Sequence, residues 1–310
     1  MTRASASGKF ILFGEHAVVY GQPAIAFPLR QLRANAQIRQ LPDQAHDRVH
    51  LIAPDVNFDM WLHEADRDDP LRKITQLTLE ELHVRSFPAI EIRISAEIPV
   101  ASGLGSGAAV STAVLRALCR HFNHPLELSR QSELVYEVEK IHHGTPSGID
   151  NTVIVYDQAV YFVRGRQPER ISIGGEFSFI LADTGLPSNT GEIVAKIRQT
   201  WERDRASFDE IFQEIGQITR NARTAIAGGD VSALGNLMDQ NQEKLEALGV
   251  SSKTIEKLLS AARDCGACGA KLSGAGVGGI IVVLIQPAAA YAVTEALRAA
   301  GAVWIRMTRV

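Results

Sequence analysis

"PVASGLGSGAAVSTAVLRAL", residues 99–118, decides how this chain is read. It follows "AIEIRISAEI" (89–98), where Ile90, Ile92 and Ile94 alternate with polar residues, the period of a strand with one buried face. Gly103, Gly105 and Gly107 then permit a tight turn and close approach of backbone to a ligand. From Ala108 to Cys119 nearly every residue is small or apolar, as in a buried helix. Strand, glycine turn and helix in this order present the unpaired N–H groups of a first helical turn, where an anion is favoured. Ser106 adds a hydroxyl. The stretch lacks the Gly-Lys-Ser/Thr ending of a Walker loop, so the lysine and acids of phosphoryl chemistry must come from elsewhere.

Working outward, "GAGVGG" holds Gly274, Gly276 and Gly279 at G-x-G-x-x-G spacing. A dinucleotide fingerprint must open a helix, and here the strand-like "IIVVLI" follows at once, so that reading is excluded. "GKFILFGEHAVVYG" (8–21) places Lys9 at the start of a strand and Glu15-His16 at its end. Taken singly, Lys9 reads as a solvated charge and His16 as a structural histidine. "YEVEKIHHGTPSGIDN" (136–151) holds Glu139 near a helix end and Asp150 just beyond a Pro/Gly turn. An acid so placed is held rigidly and can accept a proton or bind a cation; capping the turn is its other use.

A chain of 310 residues suits two domains. With 45% hydrophobic and 22% charged residues it has the composition of a globular protein, and a net charge of -3 offers no field for nucleic acid or an anionic membrane. The longest apolar runs, such as "GGIIVVLI" at 278–285, are too short to span a bilayer. Charge and glycine interrupt "MTRASASGKFILFGEH" before any signal-peptide core develops. Cys119, Cys265 and Cys268 form no disulfide framework, and the C-x2-C pair has no second pair to complete a zinc site. A reducing cytoplasm is expected.

The first third is strand-rich (9–13, 24–29, 33–41, 49–53 and 58–63), and 70–85 has a helical apolar face. A helix is expected at about 126–141, then "TVIVY" and "AVYFV" as an antiparallel pair. The polar link 165–170 marks the domain boundary. Beyond it come a strand at 177–183, helices at about 189–204, 207–227, 230–247 and 252–264, and strands around the glycine loop. A helix at 287–301 and a last strand close the chain. Strands set apart from a helical layer make this an α+β protein.

Three of these stretches, "GKFILFGEHAVVYG", "PVASGLGSGAA" and "KLSGAGVGG" (271–279), occur in the order and spacing of the GHMP kinase family, which the chain resembles over most of its length. The resemblance implies a two-domain fold with its active site in the cleft between the domains. Residues 1–168 would form a ribosomal-protein-S5-domain-2-like domain carrying the ATP phosphate loop, and 169–310 a ferredoxin-like α/β plait. "GEHAVVYG" with "HHGTPSGIDN" is most similar to members that phosphorylate (R)-mevalonate at its 5-hydroxyl, using ATP and Mg2+. Another small-molecule kinase of the family, acting on phosphomevalonate or homoserine, and a related decarboxylase are the alternatives.

By that resemblance Asp150 orients the substrate hydroxyl or acts as its base, with Lys9 beside it. Glu139 and Ser106 hold Mg2+. Glu15, His16, Thr184 and Thr190 face the substrate. Pro99, Ala101, Ser102, Gly103, Leu104, Gly105, Ser106, Gly107 and Ala108 cradle ATP, and Gly274, Ala275 and Gly276 shape an active-site loop. A cytoplasmic homodimer is implied, with no nucleic-acid or membrane partner. Two departures stand out. Gly107 replaces a serine that gives an oxygen near Mg2+, and Val277 replaces a glycine, which implies a negative φ or a side chain turned away from the nucleotide.

Overall fold

The computed structural model describes residues 1–42, 48–84, 88–100, 102–143 and 146–310. The chain divides into two units that alternate along the sequence. Met1–Lys9, Pro28–Val100 and Gly105–Asp157 form the first; Phe10–Phe27, Ala101–Leu104 and Gln158–Val310 form the second. Two long strands, β1 (Thr2–Phe13) and β2 (Ala24–Gln40), each contribute to both.

In the first unit β2 pairs antiparallel with β5 (Ile90–Ala96), setting Ile38 opposite Ile92 and Ala36 opposite Ile94. The period-two pattern thus buries one face of both strands together. β3 (Val49–Ala53) runs parallel to β5, and β4 (Phe58–Trp61) closes the edge. Four helices pack in this unit: α1 (Pro70–Glu81), α2 (Ser106–His121), α3 (Leu128–His143) and α4 (Ile149–Tyr156). The many alanines of α2 let neighbouring helices approach closely, and Ala109, Ala113 and Ala117 are fully buried.

Sequence and structure part company at 152–156. The expected strand is helix α4, and the following β6 (Val160–Phe162) pairs with Ala24–Ala26 of β2 and with β7 (Glu169–Arg170). A helix buried on nearly all sides shows no polar stripe, so its β-branched run has no period to distinguish it from a strand. The start signal lay in the turn before it, where Gly148 takes φ 92° and Asp150 falls in the first turn.

The second unit carries a four-stranded antiparallel sheet in the order β11 (Trp304–Arg309), β8 (Ser178–Asp183), β10 (Ile280–Ile285), β9 (Ala267–Ser273). Between β8 and β9 the chain forms α5 (Thr190–Arg203), α6 (Arg205–Gly228), α7 (Val231–Ala247) and α8 (Lys253–Asp264), and α9 (Ala290–Ala300) joins β10 to β11. Strand, helices, two strands, helix, strand in chain order, with the sheet order β11-β8-β10-β9, is the ferredoxin-like plait. Its four long helices start on side-chain caps, Asn189, Asp204, Asp230 and Ser252. The outer edge of β9 is not left bare. Asp239 Oδ1 accepts the Ala270 N–H (3.1 Å) and Gln242 Oε1 the Leu272 N–H (2.9 Å), both from α7. Among the described residues no helix is long and apolar enough to cross a membrane.

Candidate active site

In the first unit, Lys9 lies within β1 and Asp150 in the first turn of α4. Lys9 Nζ lies 3.0 Å from Asp150 Oδ1, with the lysine 3% and the aspartate 24% exposed. Glu139, near the end of α3, is buried next to them. Burial first, and then the charge of Asp150, push its carboxyl up to about 8, while Lys9 opposes the shift. Asn151 ties the two acid-bearing helices together, donating from Nδ2 to the Ser132 carbonyl (3.1 Å) and hydroxyl (2.8 Å) of α3.

The glycine turn reaches the same place. Gly105 takes φ 75°, and a Cβ there would lie 2.8 Å from Ile154 Cδ1 and 3.0 Å from Lys9 Cγ. Only glycine lets the backbone rest on the lysine stem. Ser106 opens α2 with no side-chain cap and no acid in the first turn, so its leading N–H groups remain available to an anion. Gly107 and Ala108 follow within the helix. Pro99 is half-buried, Ser102 and Leu104 are buried, and Ala101 lies outside the described residues.

The donor chemistry fits Mg2+, which prefers carboxylate and hydroxyl oxygens and takes the rest of its shell from water and phosphate. A buried carboxyl raised by a neighbouring carboxylate is stabilised as the anion when a divalent cation arrives. Among the described residues no group of three or more His, Cys, Asp or Glu side chains is arranged for a metal. Cys119, Cys265 and Cys268 are all free thiols.

In the second unit, Gly103 of the glycine turn approaches Gly274, whose Cβ would sit 3.8 Å from Gly103 Cα. Glu15 is buried in an ion pair with Lys271. His16 Nε2 lies 3.0 Å from the Ala275 carbonyl, which can only accept, so the ring carries its proton on Nε2. Burial lowers the His16 pKa to about 4 against the raising effect of that bond, and the Lys271 charge lowers it further. Thr184 is buried just past β8: its N–H donates to the Gly279 carbonyl (2.9 Å) and its hydroxyl accepts the Leu186 N–H (3.2 Å). Thr190 is half-buried at the first position of α5.

The loop 274–279 has one conformational surprise. Val277 takes φ 64°, beside Gly274 at 91°, Gly276 at 85° and Gly279 at 71°. A negative φ is ruled out; the side chain is instead 44% exposed. The reason is local. The Val277 N–H donates to the Val250 carbonyl at 2.6 Å, and the Gly279 N–H to the Leu186 carbonyl at 2.9 Å, so the loop is pinned on both sides. A left-handed residue other than glycine costs ~1–2 kcal/mol. Val277→Gly, after subtracting the extra chain entropy of glycine, is expected to raise stability by about 1 kcal/mol and Tm by roughly 2 °C. Differential scanning calorimetry checks this, and a lower Tm would refute the strain.

Four further side chains hold these parts and were given no role from the sequence, although Lys271 and Ser273 stand inside the quoted stretch 271–279. Arg116 of α2 donates to the Val155 carbonyl at the end of α4 (2.7 Å) and to the Ser5 carbonyl of β1 (3.2 Å), fixing the elements that bear Asp150 and Lys9. Ser188 Oγ donates to the Gly276 carbonyl (2.8 Å). Ser273 Oγ accepts the Ile11 N–H (3.2 Å) and donates to the Ile11 carbonyl (2.8 Å). Lys271 is the fourth.

The family model for the GHMP kinases N terminal domain matches residues 71–158, and that for the GHMP kinases C terminal matches 222–303. The mevalonate kinase of Thermococcus sibiricus is 33% identical over 317 residues, covering 96% of this chain and 93% of that protein. The mevalonate kinase of Pyrococcus horikoshii is 34% identical over 320 residues, covering 97% and 93%. Among solved structures, L. major mevalonate kinase in complex with R-mevalonate superposes with a TM-score of 0.84 at 26% identity, covering 100% of this chain and 96% of that one. A lysine and two acids gathered beneath a glycine turn, on a fold shared along the whole chain with these enzymes, make this protein a member of the GHMP kinase family, closely related to its mevalonate kinases.

Proposed function

We propose that the chain transfers the γ-phosphoryl group of ATP to the 5-hydroxyl of (R)-mevalonate, giving 5-phosphomevalonate and ADP. The observation that carries this reading is the Lys9–Asp150 pair beside Glu139, in a chain whose full-length relatives are mevalonate kinases. Phosphoryl transfer asks a protein mainly for positioning and charge neutralisation. The N–H groups at the start of α2 and the glycine turn from Ser102 to Gly107 bind the ATP phosphates. Mg2+, held by Glu139 and Ser106, neutralises phosphate charge when bound. Asp150 accepts a hydrogen bond from the 5-hydroxyl and aims its oxygen in line with the γ-phosphorus. Lys9 stabilises negative charge on that oxygen as the bond to phosphorus forms and the bond to the β-phosphate oxygen breaks. The hydroxyl proton passes to the Asp150 carboxylate.

His16, Thr184 and Thr190 surround the substrate in this reading, with Glu15 helping to fix it by supporting His16 from its ion pair with Lys271, and Gly274, Ala275 and Gly276 shape the loop facing it. The reading includes a cytoplasmic homodimer, which light scattering on the purified protein checks by mass. The activity is tested by coupled ADP release with ATP and Mg2+ over mevalonate, phosphomevalonate, homoserine and galactose. Mevalonate alone should support rapid turnover, with no CO2 released. Equal ADP formation without mevalonate, or release of CO2, sinks the proposal.

A further inference from the structure

Lys271 belongs to no ligand-facing set, yet it is completely buried in the second unit. Its ammonium meets the Glu15 carboxylate, 256 positions earlier in sequence, and the Leu272 carbonyl. Two residues on, Ser273 exchanges two hydrogen bonds with the Ile11 peptide. Two further on, the Ala275 carbonyl takes the His16 Nε2–H. Positions 271, 273 and 275 thus stitch the glycine loop to residues 11, 15 and 16.

What they stitch is strained. His16 has φ 59° and ψ -50°, and the Ala17 N–H bonds back to the Glu15 carbonyl at 2.6 Å. That is a three-residue γ-turn of the rare positive-φ kind. A non-glycine residue held there costs of order 1–3 kcal/mol and persists only where its surroundings over-determine it. The surroundings are the Glu15 side chain fixed by Lys271 and the His16 ring fixed by Ala275. A buried ion pair is weak evidence for stability, because apolar residues of similar volume often serve as well. Fixing a position is what a directed pair does better.

We propose that Lys271 is a positioning residue of the phosphoryl transfer: by anchoring Glu15 it holds the His16 turn, and through His16 it sets the Ala275 carbonyl and the Gly274–Gly276 loop. This rests on the kinase reading above. The lysine touches neither substrate nor nucleotide. It acts through two intermediaries, and its loss registers in turnover before it registers in binding.

The test compares wild type with Lys271→Met, the double variant Glu15→Leu/Lys271→Met, and Glu15→Gln. Lys271→Met alone leaves a buried carboxylate without its cation and is expected to unfold at much lower temperature. The double variant removes both charges and should melt within a few degrees of wild type. It should nevertheless lose roughly 30- to 100-fold in kcat, with KM for ATP and mevalonate within about threefold. Its hydrogen-bonded His16 Nε2–H resonance in proton NMR should shift or broaden away. Glu15→Gln, nearly isosteric, should show the same split at about 5- to 10-fold, and it carries the test if the double variant does not fold. A folded variant with wild-type kcat and an unmoved His16 resonance overturns the proposal. So does a rise in mevalonate KM alone, which would put Glu15 directly on the substrate. If wild type shows no mevalonate-dependent turnover, the kinase reading fails, while the His16 resonance still reports whether Lys271 sets the turn.

Discussion

Asp150→Asn lowers kcat for mevalonate-dependent ADP release by roughly 10³-fold, with the ATP KM within about threefold. Asparagine keeps the shape and one hydrogen-bonding oxygen, so α4 and its tie to α3 through Asn151 stay in place. What disappears is the charge. The amide cannot take the hydroxyl proton, and its NH2 group can present a donor where an acceptor is needed. Lys9→Met should cost about 10²–10³-fold for a related reason, since charge growing on the attacking oxygen then meets a hydrocarbon. The two losses should not add. Each variant disables one half of a pair 3.0 Å apart, so the double variant should fall little below the worse single. Steady-state kinetics of the three variants decides the matter. Wild-type kcat in Asp150→Asn would remove the pair from the chemistry.

Glu139 makes the second large prediction, in stability rather than rate. Its carboxyl is raised from the ordinary range to about 8. An unfolded chain releases that proton near pH 4.5, whereas the folded protein keeps it up to about pH 8. Between those values the folded state binds more protons, so stability falls as pH rises, and the loss is complete above pH 8. The total is of order 5 kcal/mol for a single such group. Without ligands, wild type should therefore lose Tm from about pH 6.5 to pH 8.5, and Glu139→Gln should not. Mg2+ with ATP should restore much of the wild-type loss and little in the variant. His16 works in the opposite direction. Its pKa is lowered to about 4, so its contribution is present above the unfolded value of 6.5 and is lost as pH falls through 4. The two windows overlap between about pH 4.5 and 6.5, where the slopes oppose each other, so the Glu139 loss is read cleanly only above pH 6.5 and by comparison with Glu139→Gln. Identical Tm profiles for wild type and Glu139→Gln would show that the carboxyl is not perturbed.

Glu139 and Asp150 could be found in the sequence because each sits at a structural boundary, a helix end and a residue after a Pro/Gly turn; Lys9, expected at a strand start, lies inside β1. Their grouping followed from motif order. The α+β class was legible from alternating Ile90, Ile92 and Ile94 and from the long capped helices after Asp183. Helix α4 was not, since burial on nearly all sides erased its period. Nor was the Lys271–Glu15 pair: each residue stands in a quoted stretch, but nothing local joins positions 256 apart. At Val277 one of the two expectations, the negative φ, does not hold. A β-branched residue argues for negative φ, and only the two carbonyls that pin its loop override that preference.

The capping of β9 by Asp239 and Gln242 has a consequence for how the protein fails. An open strand edge is a template on which another chain can add a strand, and self-association through such edges is a common route to insoluble material. Here α7 occupies the donors of Ala270 and Leu272 itself. Substitutions that loosen α7 would release a sticky edge while the sheet is still formed. Variants such as Gln242→Ala would then be lost from the soluble fraction at temperatures where their secondary structure is still intact.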